Sequence, residues 1–326
     1  MQEAIKPIEI VAACDDNYVQ HLGVMLCSLL ENTSHRQSIH ISVIDGGICV
    51  ENRLKLNKFI LDTYGIHINY LIPDINTYQS FPISYHFSHT IYYRISMPLF
   101  FDQSVTKVLY LDADMVVKDD IYQIWNIDIS DYYAAAVDTL EFDNRYLSLG
   151  IPLNSLYFCS GLILINLQKW REDHIMQKVI SFIQNNQDNI QMWDQDSLNA
   201  ILCSRWLPLP LKWNQQSNFF DSRLYQKYKS NDDYMEAIAN PSIIHYTGSH
   251  KPWHYVDNHP YKMDYYKYLS LTPWHEYKPK KNIKLIIKRL IKIYMPKFLL
   301  LTIKRFFSNQ QKANSDRSLT KSTFIN

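Results

Sequence analysis

Short apolar strands and amphipathic helices alternate along the first 111 residues, and this order constrains the fold more than any other feature of the chain. The pattern predicts strands at Ile8–Ala13, Ile39–Ile44, Ile66–Leu71 and Lys107–Leu111, and helices at Val19–Glu31, Glu51–Tyr64 and Thr90–Phe100. Such a β-α-β-α order favours an α/β fold, in which helices flank a mostly parallel central sheet. Ligands of such sheets bind beyond the carboxyl ends of the strands.

Acidic clusters follow two of these predicted strands. Asp15-Asp16-Asn17 comes after the first strand, and Asp112-Ala113-Asp114 comes after Lys107–Leu111. Two carboxylates separated by one residue point to the same side of extended backbone, so both can reach one divalent cation. Taken alone, such a triplet is more often a solvated turn, but the apolar strand before it favours a functional site.

A third predicted strand of interest, Ser242–Tyr246, contains His245 near its end and is followed by Gly248 and Lys251. A histidine at a strand end is more often structural than a ligand. Here it could complete a cation site with the two aspartates, and carboxylate with imidazole suits Mn²⁺ better than Mg²⁺. A metal ion and a lysine together stabilise the charge that develops on a leaving diphosphate.

Composition and short motifs exclude several other classes. The chain has only 7 glycines and contains neither G-x-G-x-x-G nor a Walker A pattern, which argues against a dinucleotide oxidoreductase or a P-loop NTPase. Its 5 cysteines are odd in number and form no C-x-x-C, so we expect no disulfide framework and a cytoplasmic location. We also expect no signal peptide and no spanning helix.

Several motifs occur in an order that resembles the family 8 glycosyltransferases, which have the GT-A fold, and especially the bacterial lipooligosaccharide and lipopolysaccharide α-galactosyl- and glucosyltransferases. The resemblance covers roughly residues 8–254. It depends on Ala12–Tyr18, Tyr92-Tyr93-Arg94, Tyr110–Asp114, Tyr157–Gly161, Leu164–Leu167, Trp193–Asp196 and His245–His254. The resemblance implies a retaining transferase that moves galactose or glucose from UDP-galactose or UDP-glucose to a saccharide acceptor, such as a lipooligosaccharide or other glycolipid, through an α-glycosidic bond.

The resemblance also implies a role for each matched residue. Uridine would contact Ala13, Asp15, Asn17 and Tyr18, and the ribose would lie near Ala113. Mn²⁺, or Mg²⁺ as the alternative ion, would be bound by Asp112, Asp114 and His245, and the diphosphate by Gly248 and Lys251. The donor sugar would be bound by Arg94, Asp138, Asp194 and Gln195, with Gln195 close to the anomeric carbon and His86 near the donor or acceptor.

Three of the sugar-binding candidates also have structural interpretations. Arg94 could form an ion pair, Asp138 could end a strand, and Asp194 could be the N-cap of a predicted helix, Asp194–Leu202. The chain departs from the family at Cys159, where asparagine is usual, and a thiol is a poor hydrogen-bond partner. An inactive membrane-bound sugar-nucleotide binder and a nucleotidyltransferase of similar fold therefore stay open as alternatives.

Charge divides the chain into two predicted domains, a GT-A catalytic domain at 1–276 and a C-terminal tail at 277–326. Their balances of basic and acidic residues are −11 and +12. In the tail, Lys284, Lys288 and Lys292 recur every four residues among apolar residues, which is typical of a basic amphipathic helix on an anionic membrane. We expect a peripheral protein on the inner face of the plasma membrane, with a tail disordered toward its end. The helix could instead pack on the catalytic domain, and no motif favours nucleic acid.

Overall fold

The computed structural model describes residues 7–83, 88–140, 144–249 and 251–281, with the side chains of residues 144 and 145 left out. The chain divides into two compact units, Met1–Pro252 with His259–Tyr277, and Trp253–Asn258 with Lys278–Asn326. His86 and the predicted amphipathic helix of the tail lie outside the described residues. Within those residues, no helix has the length and apolar character needed to cross a membrane.

Regular secondary structure in the first unit consists of strands and helices that alternate through most of the chain. The strands are β1 (Ile8–Cys14), β2 (Ile39–Asp45), β3 (Ile68–Leu71), β4 (Lys107–Leu111), β5 (Met115–Val117), β6 (Ala134–Asp138), β7 (Phe158–Asn166), β8 (Trp206–Pro208), β9 (Gln215–Gln216) and β10 (Ile243–His245). The α-helices are α1 (Val19–Asn32), α2 (Val50–Tyr64), α3 (Met97–Phe100), α4 (Tyr122–Trp125), α5 (Leu167–Glu172), α6 (Ile175–Asn185), α7 (Trp193–Leu202), α8 (Ser222–Tyr228), α9 (Asp232–Ala239) and α10 (Lys262–Leu269). Short 3₁₀ helices span Arg36–Ser38, Ile75–Tyr78, His89–Ser96, Asn144–Leu149, Leu211–Asn214 and Ser217–Phe220.

The central sheet has seven strands in the order β3-β2-β1-β4-β7-β6-β8. Neighbours pair in parallel throughout, except that β7 runs antiparallel to both β4 and β6. All nine residues of β7 are buried, which explains its near-continuous apolar sequence. The prediction of an α/β fold with a mostly parallel sheet flanked by helices is therefore confirmed.

A smaller sheet of three strands, in the order β5-β10-β9, lies beyond the end of β4. β10 pairs antiparallel with β5, and this register places His245 opposite Met115. β10 also pairs in parallel with β9, where His245 is opposite Gln216. Because β5 begins one residue after Asp114, this pairing brings the histidine from the far end of the chain to the acidic triplet.

Two predicted elements differ from those observed. The segment Thr90–Phe100 is a 3₁₀ helix, His89–Ser96, followed by the single turn α3, and is not one α-helix. Its β-branched and aromatic residues have low helix propensity, and Pro98 is tolerated only in the first turn of α3. The apolar run Leu162–Leu167 also predicts a strand, and the observed strand, β7, begins earlier, at Phe158, since Ser160 and Gly161 interrupt the apolar pattern before Leu162. All five cysteines are free thiols in the structure.

Candidate active site

The acidic clusters lie where the strand order of the sheet reverses. The chain proceeds from β1 to β2 on one side, whereas β4 pairs with β1 on the other, so the carboxyl ends of β1 and β4 flank a switch point of the kind at which α/β sheets bind ligands. The start of β7 lies beside the end of β4, and the backbone N–H of Asp112 donates to the carbonyl of Gly161 at 2.8 Å. Three sequence-distant segments thus meet at one edge of the sheet.

Asp112, Asp114 and His245 converge in the way that the sequence predicted. Each offers one ligand atom, and the three atoms lie within 4.8 Å of one another. Nε2 of His245 is 3.2 Å from Oδ1 of Asp114 and 3.7 Å from Oδ2 of Asp112. Two carboxylate oxygens and one imidazole nitrogen suit Mn²⁺ in particular, so these residues could hold that ion.

Gly161 leaves the space that this cluster occupies. A Cβ atom at this position would overlap Cε1 of His245 and would lie 2.7 Å from Oδ2 of Asp112. Any other residue here would displace two of the three candidate ligands. The glycine is therefore required by the close approach of side chains and not by its backbone conformation, and this requirement fits a built metal site.

Positive groups surround the second aspartate of the cluster. The ammonium of Lys251 forms an ion pair with Oδ2 of Asp114 and donates to the carbonyl of Tyr246 at 2.6 Å. Burial opposes ionisation of Asp114, but the positive charges of Lys251 and His245 have the larger effect. Together they lower the pKa of the Asp114 carboxyl far below its usual range. Burial likewise disfavours the charged His245, but the Asp114 carboxylate raises the pKa of the imidazole to about 10. Asp114 is thus held as a carboxylate, the form that a metal ligand requires.

Arg94 connects this cluster to α7, where two sugar-binding candidates lie. Its Nη2 is 2.9 Å from Oδ1 of Asp112, and its Nε is 3.1 Å from Oδ2 of Asp194. The guanidinium also donates to the carbonyl of Ser160 and lies over the ring of Tyr110, 4.3 Å from its centroid. The ion-pair interpretation of Arg94 is therefore confirmed.

Asp194 is not the N-cap of α7, so that interpretation is wrong. The helix begins at Trp193 after Met192, and the carboxylate of Asp194 lies in its first turn, directed toward Arg94. Burial raises the pKa of Asp194 to about 6, although the Arg94 guanidinium acts in the opposite direction. The carboxylate is thus buried inside the fold, with a guanidinium beside it.

Gln195 and Asp138 both contact the start of β7. Oε1 of Gln195 accepts from the backbone N–H of Ser160 at 3.0 Å, and its Nε2 donates to the hydroxyl of Tyr157 at 3.4 Å. Asp138 is the last residue of β6, as its strand-end interpretation required, and accepts from the backbone N–H of Tyr157 at 3.3 Å. Burial raises the pKa of the Asp138 carboxyl. Both candidates therefore lie beside the strand that also contacts Asp112.

The residues assigned to uridine lie in the turn between β1 and α1. Asp15 accepts from the backbone N–H of Asn17 and from the hydroxyl of Ser88, both at 3.0 Å, whereas Asn17 itself is exposed. Burial and the nearby carboxylates, Asp114 foremost, raise the pKa of the Tyr18 phenol, which places this side chain near the cluster.

The small residues assigned to the donor lie in three separate segments of the chain. Ala13 and Ala113 are buried, at the end of β1 and inside the acidic triplet, respectively. Gly248 has φ +77°, a left-handed conformation that favours glycine. It is near the start of the turn that leads to Lys251.

Two residues that the sequence analysis did not single out as site residues also contact the cluster. Gly161 stood in the motif Tyr157–Gly161, and a glycine directly before an apolar strand pattern was the signal of a close approach. Oδ1 of Asn214 is 2.9 Å from Nδ1 of His245, and Sγ of Cys159 is 3.7 Å from the same nitrogen. No sequence pattern indicated Asn214, because its partner is 31 residues away.

Comparison with known proteins agrees with this geometry. The model for Glycosyl transferase family 8 matches residues 9–257. General stress protein A of Bacillus subtilis (strain 168) is 36% identical over 272 residues, which cover 82% of this chain and 95% of that protein. The lipopolysaccharide 1,2-glucosyltransferase of Escherichia coli (strain K12) is 26% identical over 288 residues, covering 84% and 80%. A crystal structure of an active-site mutant of LgtC superposes with a TM-score of 0.72 at 25% identity, covering 82% of this chain and 96% of that one.

Proposed function

The chain belongs to glycosyltransferase family 8 and has the GT-A fold, and from this premise we propose that it is a metal-dependent, retaining hexosyltransferase. The donor is UDP-galactose or UDP-glucose, and the product carries an α-glycosidic bond. The observation that carries the proposal is the convergence of Asp112, Asp114 and His245 from two sheets, with their ligand atoms within 4.8 Å. The space that Gly161 leaves for these side chains supports it.

In this proposal the cluster binds Mn²⁺ together with the diphosphate of the donor. Held by these three residues, the ion would supply positive charge that stabilises a leaving diphosphate. Lys251, whose ammonium already contacts Asp114, binds the same diphosphate as a point charge. Gly248, which has no side chain, allows its own backbone to approach the phosphates closely. Uridine is bound by Ala13 at the end of β1 and by Asp15, Asn17 and Tyr18 of the turn between β1 and α1.

The sugar lies, in this proposal, between the cluster and the start of β7. Arg94 is fixed on both sides by Asp112 and Asp194, so its guanidinium is preorganised and does not reorient when the donor binds. Gln195, anchored by the backbone N–H of Ser160, lies close to the anomeric carbon. Asp138 contributes a carboxylate from the end of β6.

For the acceptor we propose a lipooligosaccharide or other glycolipid. Lipopolysaccharide glycosyltransferases are among the relatives, one a 1,2-glucosyltransferase and another a 1,3-galactosyltransferase of Salmonella typhimurium. The basic pattern of the tail, residues 277–326, supports a location on the cytoplasmic face of an anionic membrane.

The proposal is tested by UDP release from a panel of UDP-sugars with Mn²⁺ and a glycolipid acceptor mixture. The wild type should release UDP from one donor, and release should be lost with a chelator, in Asp114→Ala and in His245→Ala. Asp62→Ala removes an exposed carboxylate of α2 and serves as the matched control, with unchanged release. Release of pyrophosphate in place of UDP would indicate a nucleotidyltransferase, and no release from any donor would indicate an inactive binder.

A further inference from the structure

We propose that Asn214 is a positioning residue for His245, which it holds with Nε2 free to bind the metal. This role depends on the proposed metal-dependent function, and Asn214 itself lies outside the cluster. The carboxamide oxygen of Asn214 lies 2.9 Å from Nδ1 of His245, on the opposite side of the ring from the two aspartates.

The backbone fixes Asn214 in this place. It is the last residue of the 3₁₀ helix Leu211–Asn214 and directly precedes β9, whose register with β10 pairs Gln215 with Ile244. The other end of the 3₁₀ helix is tied to α9, because the backbone N–H of Leu211 donates to the carboxylate of Asp233 at 3.1 Å. Asn214 has no solvent exposure, so water does not compete for the imidazole from that side.

A neutral imidazole has one N–H and one lone pair, and only the lone pair can bind a metal. The carbonyl oxygen of a carboxamide can accept a hydrogen bond but cannot donate one. In the neutral imidazole that a metal ion requires, Oδ1 of Asn214 keeps the remaining proton on Nδ1, and the lone pair lies on Nε2, 3.2 Å from Oδ1 of Asp114. Metal-binding histidines generally donate their second N–H to such an acceptor, which fixes both the tautomer and the ring orientation.

Cys159 is the competing neighbour of the same nitrogen. Its Sγ is 3.7 Å from Nδ1, and a thiol is a weak acceptor, whereas the Asn214 oxygen is within normal hydrogen-bond distance. The shorter and stronger contact assigns the orientation of the ring to Asn214. The roles of the two side chains can be tested separately, because each can be substituted alone.

The test is a Mn²⁺ titration of the metal-free protein, in which the electron paramagnetic resonance signal counts the free ion and no sugar donor is needed. Asn214→Leu keeps the number and branching of the side-chain heavy atoms but removes the acceptor, and should weaken Mn²⁺ binding about 10-fold to 100-fold. Asn214→Asp keeps an acceptor oxygen and should bind Mn²⁺ at least as tightly as the wild type. Cys159→Ala should change the affinity less than about threefold. Thermal unfolding of each variant reports whether it is folded.

Several outcomes would overturn the inference. If the wild type binds Mn²⁺ and Asn214→Leu binds it equally well, Asn214 does not position the ligand. If the Leu and Asp variants both lose affinity, its role is packing, and if only Cys159→Ala loses affinity, the thiol holds the ring. Should Asn214→Leu fail to fold, Asn214→Asp decides, and weaker binding there would overturn the inference. A wild type that binds no Mn²⁺ would instead overturn the proposed function itself.

Discussion

Arg94 and Asp112 form an ion pair at the edge of the candidate metal cluster, with Nη2 2.9 Å from Oδ1. The hydroxyl of Tyr110 donates to the same oxygen at 2.9 Å. Both contacts use Oδ1, so the other oxygen, Oδ2, is the one that faces His245. The ion pair therefore fixes which oxygen of Asp112 faces His245, in addition to balancing the charge of the carboxylate.

Removal of this guanidinium should destabilise the fold strongly. Arg94→Met leaves the carboxylates of Asp112 and Asp194 without their shared partner, and loss of one member of a buried ion pair costs about 3–5 kcal/mol. Urea denaturation of the metal-free protein measures the free energy of unfolding. Lys58→Met, which removes an exposed i,i+4 pair with Asp62, is the control and should leave that free energy nearly unchanged. Equal effects of the two substitutions would contradict the buried role of Arg94.

The raised pKa of Asp194 makes stability depend on pH. The pKa of Asp194 is about 6 in the folded protein, whereas its ordinary value is 3.8. Between these two pH values the folded protein therefore still binds a proton that the unfolded chain has lost. The free energy of unfolding contributed by Asp194 should therefore fall as the pH rises from about 4 to about 6, and level off above. Urea denaturation of wild type and Asp194→Asn across this range should show their difference changing in that direction, and a constant difference would refute it.

A single methyl group at Gly161 should weaken metal binding. Because its Cβ would overlap His245 and approach Oδ2 of Asp112 at 2.7 Å, Gly161→Ala should weaken Mn²⁺ binding at least about 10-fold. Gly150→Ala is a matched control: its φ of +75° makes alanine cost about 1–2 kcal/mol of stability, but a Cβ there meets no atom within 4 Å. Titration calorimetry with Mn²⁺ should show the control binding normally. Comparable affinities in the two variants would mean that the space is not reserved for the ligands.

Cys159 should limit how well the donor is used. Cys159→Asn introduces a carboxamide at the start of β7, and one net hydrogen bond of about 1 kcal/mol corresponds to a roughly fivefold higher kcat/KM for the UDP-sugar. Cys159→Ala distinguishes loss of the thiol from gain of the amide and should not show this increase. Steady-state kinetics of UDP release measure both variants. A lower kcat/KM in Cys159→Asn would mean that the buried site has no room for the amide.

The sequence indicated those parts of the site that depend on single strands. The acidic triplet follows an apolar strand, and His245 ends another, so both could be placed at strand ends from hydrophobic pattern alone. Their convergence depends on the β5–β10 pairing, which joins residues about 130 positions apart and leaves no local signal. The prediction that these residues share one site came from the order of several motifs and not from any single motif.

The contacts at the start of β7 could not be predicted, because they depend on the antiparallel direction of that strand. β7 enters the sheet antiparallel to β4, and this places Cys159, Ser160 and Gly161 beside Asp112. A local pattern reports burial and period, but it does not report strand direction. The same limit applies to Asn214, whose contact with His245 arises from the parallel pairing of a two-residue strand.

The central claim is that Asp112, Asp114 and His245 bind the metal of a glycosyltransferase. Anomalous X-ray scattering at the manganese edge, from crystals grown with Mn²⁺ and UDP, tests it most directly. We predict one peak bonded to Nε2 of His245 and to carboxylate oxygens of both aspartates, at about 2.0–2.3 Å, with the diphosphate of UDP on the same ion. Ordered UDP with no manganese peak between these three side chains, or with the ion bound elsewhere, would contradict the account.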